Sequence, residues 1–403
     1  MYNTSMLIEN TIFYPRKIYP EIKKHLGSRQ ITVLTGMRRT GKTTLVKHLF
    51  SEIASKNKIY FDLERIDNRE LFSQKNYGDI ALELERRNLD LKKKTFIALD
   101  EIQLLPQVTS VIKYLYDHYN FKFIVTGSNS YYLKNLFTES LSGRKKIFEI
   151  YPLDFGEFLT FKKIDWKPGN FLDEKFNALE YERLKAYYEE FVEYGGFPEV
   201  ALEKTPFRKR DILNDIISSY INIDIKTLAD FRREKDIYAL VKMLANRVGT
   251  RLDYVKLSQL AGLSRITVQN YLELFEKTYL VTRLAVHTKN PNREIVKAKK
   301  IYFCDNGLLK VLADTSGGSK FENALLSQLR LHGEIRYWAL KTGREIDFVL
   351  DKKTALEAKE VPTLADEKNL GRLAKSAKLK KFRLIGRFPS PKFSNYIWGG
   401  AIK

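Results

Sequence analysis

ITVLTGMRRTGKTTL, residues Ile31 to Leu45, joins a β-branched apolar run to the spacing G-x-x-x-x-G-K-[ST] at Gly36, Gly41, Lys42 and Thr43. Glycine at those two places lets the backbone curl until successive N–H groups face a chain of phosphates. A helix that begins there turns its positive dipole end toward the same point. The Lys42 ammonium can reach β- and γ-phosphates, and the Thr43 hydroxyl can hold Mg²⁺. Gly36, Met37, Arg38, Arg39, Thr40, Gly41, Lys42, Thr43 and Thr44 are therefore the expected nucleotide-binding residues. The plain alternative is a glycine-rich strand-to-helix turn with no ligand.

The flanks of this stretch set the fold class. Leu45, Val46, Leu49, Phe50 and Ile53 recur at helical spacing after the loop. Ile59–Leu63, Thr95–Asp100 (TFIALD) and Phe121–Thr126 (FKFIVT) are short apolar strand runs, with Lys146–Tyr151 a fifth candidate. Leu71–Leu89 reads as one helix with a charged outer face. Near-continuous apolar strands alternating with helices imply an α/β fold with a parallel sheet buried on both faces.

TFIALD carries chemistry at its end. Asp100 and Glu101 fall at the carboxyl edge of that strand, where open α/β sheets bind ligands. Asp100 is expected to hold the Mg²⁺ shell, and Glu101 to orient or deprotonate an attacking water. The strand that ends in TGSNS offers Ser128 or Asn129 to touch a γ-phosphate, Ser128 being preferred over a plain turn.

GMRRTGKTT, FIALDEIQ, IVTGSNS and LSGR (Leu141 to Arg144), in this order, resemble the prokaryotic AAA-type ATPases that are followed by a domain of unknown function. YGGFP (Tyr194 to Pro198) and the later GREIDFVL and ALEAKE are similar to that attached domain. The resemblance spans nearly the whole chain; Met37 departs from it, standing where proline is frequent. It implies ATP rather than GTP, and the guanine-reading N-K-x-D is absent, since Asn57-Lys58 continues with Ile59-Tyr60. A transport-ATPase LSGGQ run is missing too: Leu141-Ser142-Gly143 stops at Arg144. The resemblance also makes Arg144 an arginine finger presented at a subunit border, which implies a homo-oligomer or a switchable domain contact. Its alternative is a surface arginine beside Lys145 and Lys146.

Composition bounds the remaining classes. The 403 residues suggest two or three domains, and 44% hydrophobic residues with 13% aromatics are enough to build cores. A single cysteine, Cys304, excludes a disulfide framework or a cysteine zinc cluster, and the five histidines show no ligand spacing. No signal peptide or membrane span is legible, so a cytoplasmic protein is expected. The net charge of +21 is uneven. Residues 1–204 carry 32 basic and 28 acidic side chains, residues 205–319 carry 20 and 12, and residues 320–403 carry 18 and 9. The half without the loop thus holds most of the excess, which attracts polyanions, nucleic acid (double-stranded DNA) first and anionic membrane second; the alternative is a solvated lysine-rich surface.

Residues 151–200 read as helical and end in the firm turn of Gly195-Gly196-Phe197-Pro198, and Arg208–Leu244 continues as helices. Leu257–Ser264 then gives a short helix, a glycine turn and a serine N-cap, before a second helix from Arg265 through Phe275 with Val268, Tyr271, Leu272 and Phe275 on its apolar face. Leu280–Val286 and Glu294–Phe303 read as strands of a β-wing. Arg265, Thr267, Gln269 and Asn270 on the helix, with Lys289, Arg293, Lys297, Lys299 and Lys300 on the wing, suit phosphates and base edges. Protein docking is the competing use of such a unit.

The last segment opens on a helix at Phe321-Glu322 and continues with strands at Arg336–Leu340, Glu345–Leu350 and Thr354–Val361. A three-residue hairpin loop at 351–353 pairs Leu350 with Thr354 and sets Asp347 opposite Glu357, with Glu357 and Lys359 on one face. Carboxylates beside a lysine can hold Mg²⁺ and polarise a phosphodiester. The pattern resembles the PD-(D/E)xK nucleases, with Glu322, Asp347 and Glu357 as metal ligands and Lys359 as the catalytic lysine; the alternative is a salt-bridged hairpin.

The organisation expected is an AAA-type ATPase core over 1–155, a helical lid or linker over 156–245, a winged helix over 246–312 and a small nuclease-like α/β domain over 313–403. The expected activity is Mg²⁺-dependent ATP hydrolysis with DNA binding, nucleotide state controlling the nuclease-like part. The alternative is an ATP-dependent regulatory switch that recruits a protein without cutting DNA.

Overall fold

The computed structural model describes residues 12–128, 143–225, 234–288, 290, 294, 297–340 and 342–403. The chain forms two compact units, one from the described parts of 1–35, 41–127 and 132–149, the other from those of 36–40, 128–131 and 150–403. Among the described residues no helix is long and apolar enough to cross a membrane.

The first unit is built on β1 (Ile31–Thr35), β2 (Lys58–Asp62), β3 (Thr95–Asp100), β4 (Phe121–Gly127) and β5 (Lys145–Glu149). All pairings are parallel, in the order β2-β3-β4-β1-β5. The α/β expectation and its five strands are met, the fifth shifted one residue earlier at its start. Val33, Ile97, Leu99 and Phe123 have no exposed surface, and burying each contributes about 1.5–3 kcal/mol. The expected helix over 71–89 is two helices, Ile66–Phe72 and Tyr77–Arg86. Asn76 separates them, because its side chain accepts the Gly78 N–H at 3.0 Å and caps a new start.

A lysine, Lys122, is buried inside this sheet, 1% exposed. The Lys122 Nζ donates to the carbonyl oxygens of His25, at 3.0 Å, and Gln30. Burial first, and the Lys94 charge second, push its ammonium down to about 7. The unfolded chain therefore holds an extra proton from about pH 7 to pH 10, so this lysine makes stability rise with pH across that window and add nothing further below it. Against Lys122→Met, the wild type should gain stability as pH rises from 7 to 10. Urea midpoints of both proteins at three pH values read this, and a pH-independent difference contradicts it.

The second unit continues through helices Phe155–Phe161, Ala178–Tyr194, Pro198–Leu202, Pro206–Ser219 and Glu234–Ala245. The helices Tyr254–Ala261 and Arg265–Lys277 meet at Gly262, which adopts a left-handed φ of 62°. Ser264 caps the second by accepting the Thr267 N–H at 3.0 Å. β6 (Val281–Leu284) and β7 (Lys300–Phe303) then pair antiparallel, shorter than the strands expected there. Helices Asn306–Leu312 and Gly317–Leu329 lead to β8 (Ile335–Ala339), β9 (Glu345–Leu350) and β10 (Thr354–Lys359), an antiparallel set. Helix Leu364–Ser376 carries the chain to β11 (Lys381–Gly386), parallel to β10, and β12 (Ile397–Trp398) closes the edge. The register is the one the hairpin requires, with Leu350 opposite Thr354 and Phe348 opposite Leu356. Asp351 and Lys352 take left-handed φ values of 50° and 58° to turn it.

Candidate functional site

Gly41, with φ 92°, delivers the chain into helix Lys42–Ser51 and offers no side-chain cap. The first amides of that helix are therefore donors for an anion. Lys42 is buried on its first turn, Thr43 is half-buried and Thr44 is exposed. In the preceding loop, Arg39 also takes a left-handed φ of 61°, and the Thr40 hydroxyl ties back to the Met37 carbonyl at 2.9 Å. Two side chains of the expected set point to other partners. The Met37 sulfur lies 3.5 Å from Cys304 Sγ, and Arg39 pairs with Glu199 at 2.9 Å. Gly36 and Arg38 lie in the same loop, Gly36 buried and Arg38 half-buried.

Asp100 and Glu101 emerge on the same carboxyl edge of the sheet as Gly41, with β4 between β3 and β1. Two strand spacings separate them, about 10 Å. Asp100, 2% exposed, accepts from the Tyr60 hydroxyl at 2.6 Å and from the Thr126 hydroxyl. Burial and the Asp100 carboxylate raise the Tyr60 phenol, which keeps it a donor. The Glu101 N–H donates to Thr126 Oγ1 at 3.0 Å, and its carboxylate accepts from the Gln103 amide. Glu101 holds a left-handed φ of 56°, a conformation that costs a non-glycine residue free energy and recurs at functional sites. Thr126 was not singled out in the sequence, yet it fixes both acids. The readable signal is a hydroxyl inside a buried strand that is apolar but for Lys122, and a buried hydroxyl requires a partner. Ser128 follows β4 and is buried; Asn129 lies outside the described residues.

Arg144 occupies the opposite edge. Its carbonyl accepts the Ile31 N–H at 2.8 Å, ahead of the first residue of β1, and its guanidinium pairs with Asp117 at 3.2 Å. The five residues of β1 separate it from the phosphate loop by about 16 Å. That is farther than an arginine side chain extends, so it does not serve the loop of its own sheet.

A second cluster forms within the other unit. Helix Gly317–Leu329 presents Glu322, β9 presents Glu345 and Asp347, and β10 presents Glu357 and Lys359. The Asp347 N–H donates to Glu357 at 3.4 Å, Asp347 Oδ2 accepts the Ala358 N–H at 3.0 Å, and Lys359 Nζ meets Glu357 Oε1 at 3.0 Å. Burial, then the Asp347 charge, push Glu322 up to about 7 and Glu357 up to about 8. Into this cluster comes a cation the sequence placed elsewhere. Lys300, expected on a DNA-facing wing, is 1% exposed. Its Nζ lies 2.8 Å from Glu345, 3.4 Å from Glu322 and 3.5 Å from Asp347. Burial disfavours the ammonium, but the carboxylates outweigh it and its pKa is raised. Among the described residues no group of three or more His, Cys, Asp or Glu side chains is arranged to hold a metal ion.

On helix Arg265–Lys277, Arg265 and Asn270 are exposed and Thr267 and Gln269 half-exposed, while Val268, Leu272 and Phe275 are buried. Lys289 and Arg293 lie outside the described residues; Lys297 and Lys299 are half-exposed.

The first unit is thus a five-stranded parallel α/β fold, with the start of helix Lys42–Ser51 and the paired acids on one edge of its sheet. In agreement, residues 28–159 match the family model of an AAA domain, and residues 185–319 match that of a domain of unknown function. An uncharacterised protein of Methanocaldococcus jannaschii is 28% identical over 82% of this chain and 74% of its own. An uncharacterised protein of Haemophilus influenzae is 27% identical over 80% of each. Among solved structures, the Aeropyrum pernix ORC1 protein in complex with DNA aligns at a TM-score of 0.35 with 12% identity, covering 79% of this chain and 95% of that one. So loose a superposition has no bearing on function.

Proposed function

We propose that this protein is a Mg²⁺-dependent ATP hydrolase whose nucleotide state governs how its basic C-terminal half holds double-stranded DNA. The observation that carries the hydrolase is the fixing of Asp100 and Glu101 by one hydroxyl, Thr126, on the edge where helix Lys42–Ser51 begins. The donor set fits the metal, since Thr43 and Asp100 supply hard oxygen ligands. Held there by Thr43 and Asp100 with ATP, the ion would supply charge neutralisation for the transferred phosphate. Lys42 adds positive charge to the same phosphates, and Ser128 touches the terminal one. Glu101, turned by its left-handed backbone, orients the attacking water and takes its proton. Arg144 acts on a neighbouring copy, which makes the working form a homo-oligomer.

Two features support DNA as the partner: the charge excess of residues 205–403, and the polar outer face of helix Arg265–Lys277 in a winged-helix arrangement. The order helix, three antiparallel strands, helix, parallel strand around Asp347 and Glu357 supports a nuclease-like last domain. The competing regulatory switch draws on Val255, Leu260 and Ile266, apolar side chains 51–69% exposed on the helix–turn–helix.

Duplex binding measured by anisotropy across salt, with ATPase turnover with and without that DNA, decides between them. About six phosphate contacts would weaken binding roughly 10³-fold between 50 and 200 mM salt. Flat or absent binding, with turnover indifferent to DNA, favours the protein-recruiting switch.

A further inference from the structure

The carboxylates of the C-terminal cluster already hold a cation. Lys300 enters from the first position of β7, where its backbone pairs with Leu284. Its Nζ lies within 3.5 Å of carboxylates on β9 and on helix Gly317–Leu329. Mg²⁺ would need the same oxygens at about 2.0–2.1 Å. An ammonium and a divalent ion confined to so small a buried space repel strongly.

Other lone pairs of the cluster are engaged as well. Glu322 Oε1, the atom facing Lys300, accepts the Tyr302 hydroxyl at 2.6 Å. Glu345 Oε2 is held by Arg251 at 2.8 Å. Glu357 takes Lys359 on one oxygen and the Asp347 amide on the other. Four acids, Glu322, Glu345, Asp347 and Glu357, thus face three fixed cations, Lys300, Lys359 and Arg251. The residues do not fit a divalent metal, although their strands and helix stand where the nuclease-like pattern asks.

We propose that Lys300 is the resident cation of this cluster, occupying the place of a divalent metal, so that the domain neither binds Mg²⁺ or Mn²⁺ there nor cleaves a phosphodiester. The same ammonium ties β7 to β9 and to helix Gly317–Leu329, converting a cleavage site into an ionic clamp. The absence of cutting rests on the nuclease-like reading of the domain; exclusion of the metal rests on geometry alone.

Mn²⁺ titration of the full-length, nucleotide-free protein, followed by the electron paramagnetic resonance of unbound Mn²⁺, tests this. Wild type and Asp347→Asn should give superimposable curves. Lys300→Met should gain one Mn²⁺ per chain, and Lys300→Met/Asp347→Asn should lose it again. A wild-type site that disappears in Asp347→Asn overturns the proposal, as does a folded Lys300→Met that gains nothing. If Lys300→Met does not fold, the wild-type and Asp347→Asn pair decides alone. Plasmid nicking by the same samples separates the two layers: Mn²⁺ gained by Lys300→Met without nicking leaves metal exclusion standing and removes the nuclease-like reading.

Discussion

Lys42→Ala should lower ATP turnover at least about 10²-fold, whereas Glu101→Gln should lower it by a similar factor yet still bind ATP. The two variants should separate because the proposed mechanism gives their side chains different stages. Lys42 sits buried on the first turn of helix Lys42–Ser51, and in the proposed site its charge and the opening amides would meet the same phosphates. Losing it weakens the ground-state complex and the transition state together, so KM rises as kcat falls. Glu101 leaves the phosphate cradle alone. Replacing its carboxylate with an amide preserves the size and the main-chain bond to Thr126 but removes the proposed proton acceptor. The loss then falls on kcat, with nucleotide affinity preserved. Equilibrium binding of a fluorescent ATP analogue beside steady-state phosphate release reads both quantities. Full turnover in Lys42→Ala would remove the hydrolase reading; full turnover in Glu101→Gln would move the base elsewhere.

How far the sequence reveals these features depends on whether the constraint is local. β3 and β4 are legible because a parallel strand buried on both faces reads as a near-continuous apolar run, broken in β4 only by Lys122 and Thr126. The pairing of β9 with β10 is legible because a three-residue loop permits one register. Lys300 is not legible from composition, since Lys297, Lys299 and Lys300 look like a solvated wing. Alternation along β7 does put Lys300 and Tyr302 on one face, and both side chains reach Glu322. What the sequence lacks is that face's partner, a helix about twenty residues later that tertiary packing brings over the strand. Asp117, the partner of Arg144, is hidden for the same reason.

Gly196→Ala should cost about 3 kcal/mol or more, a large shift in the urea midpoint. A Cβ on residue 196 would lie 2.1 Å from the Leu153 carbonyl oxygen, a backbone atom that no rotamer change can move. The residue cannot retreat either, because both its peptide groups are engaged. Its carbonyl accepts the Leu153 N–H at 2.7 Å, and its own N–H donates to Asp305 Oδ2 at 2.6 Å. Asp305 is itself fixed, capping helix Asn306–Leu312 through the Gly307 N–H at 2.8 Å, and burial pushes its carboxyl up to about 6. A shift at residue 196 therefore breaks two buried hydrogen bonds and unseats a helix cap, each worth about 1 kcal/mol or more. Gly318→Ala is the matched control. Gly318 lies in helix Gly317–Leu329 with nothing within 4 Å of a built Cβ. There the same substitution restricts only the unfolded chain and should stabilise by roughly 0.5–1 kcal/mol. Opposite shifts in the urea midpoint are the expected result. Equal, small effects would mean that the turn at residues 195–196 yields, and that Gly196 does not serve the close approach to Leu153.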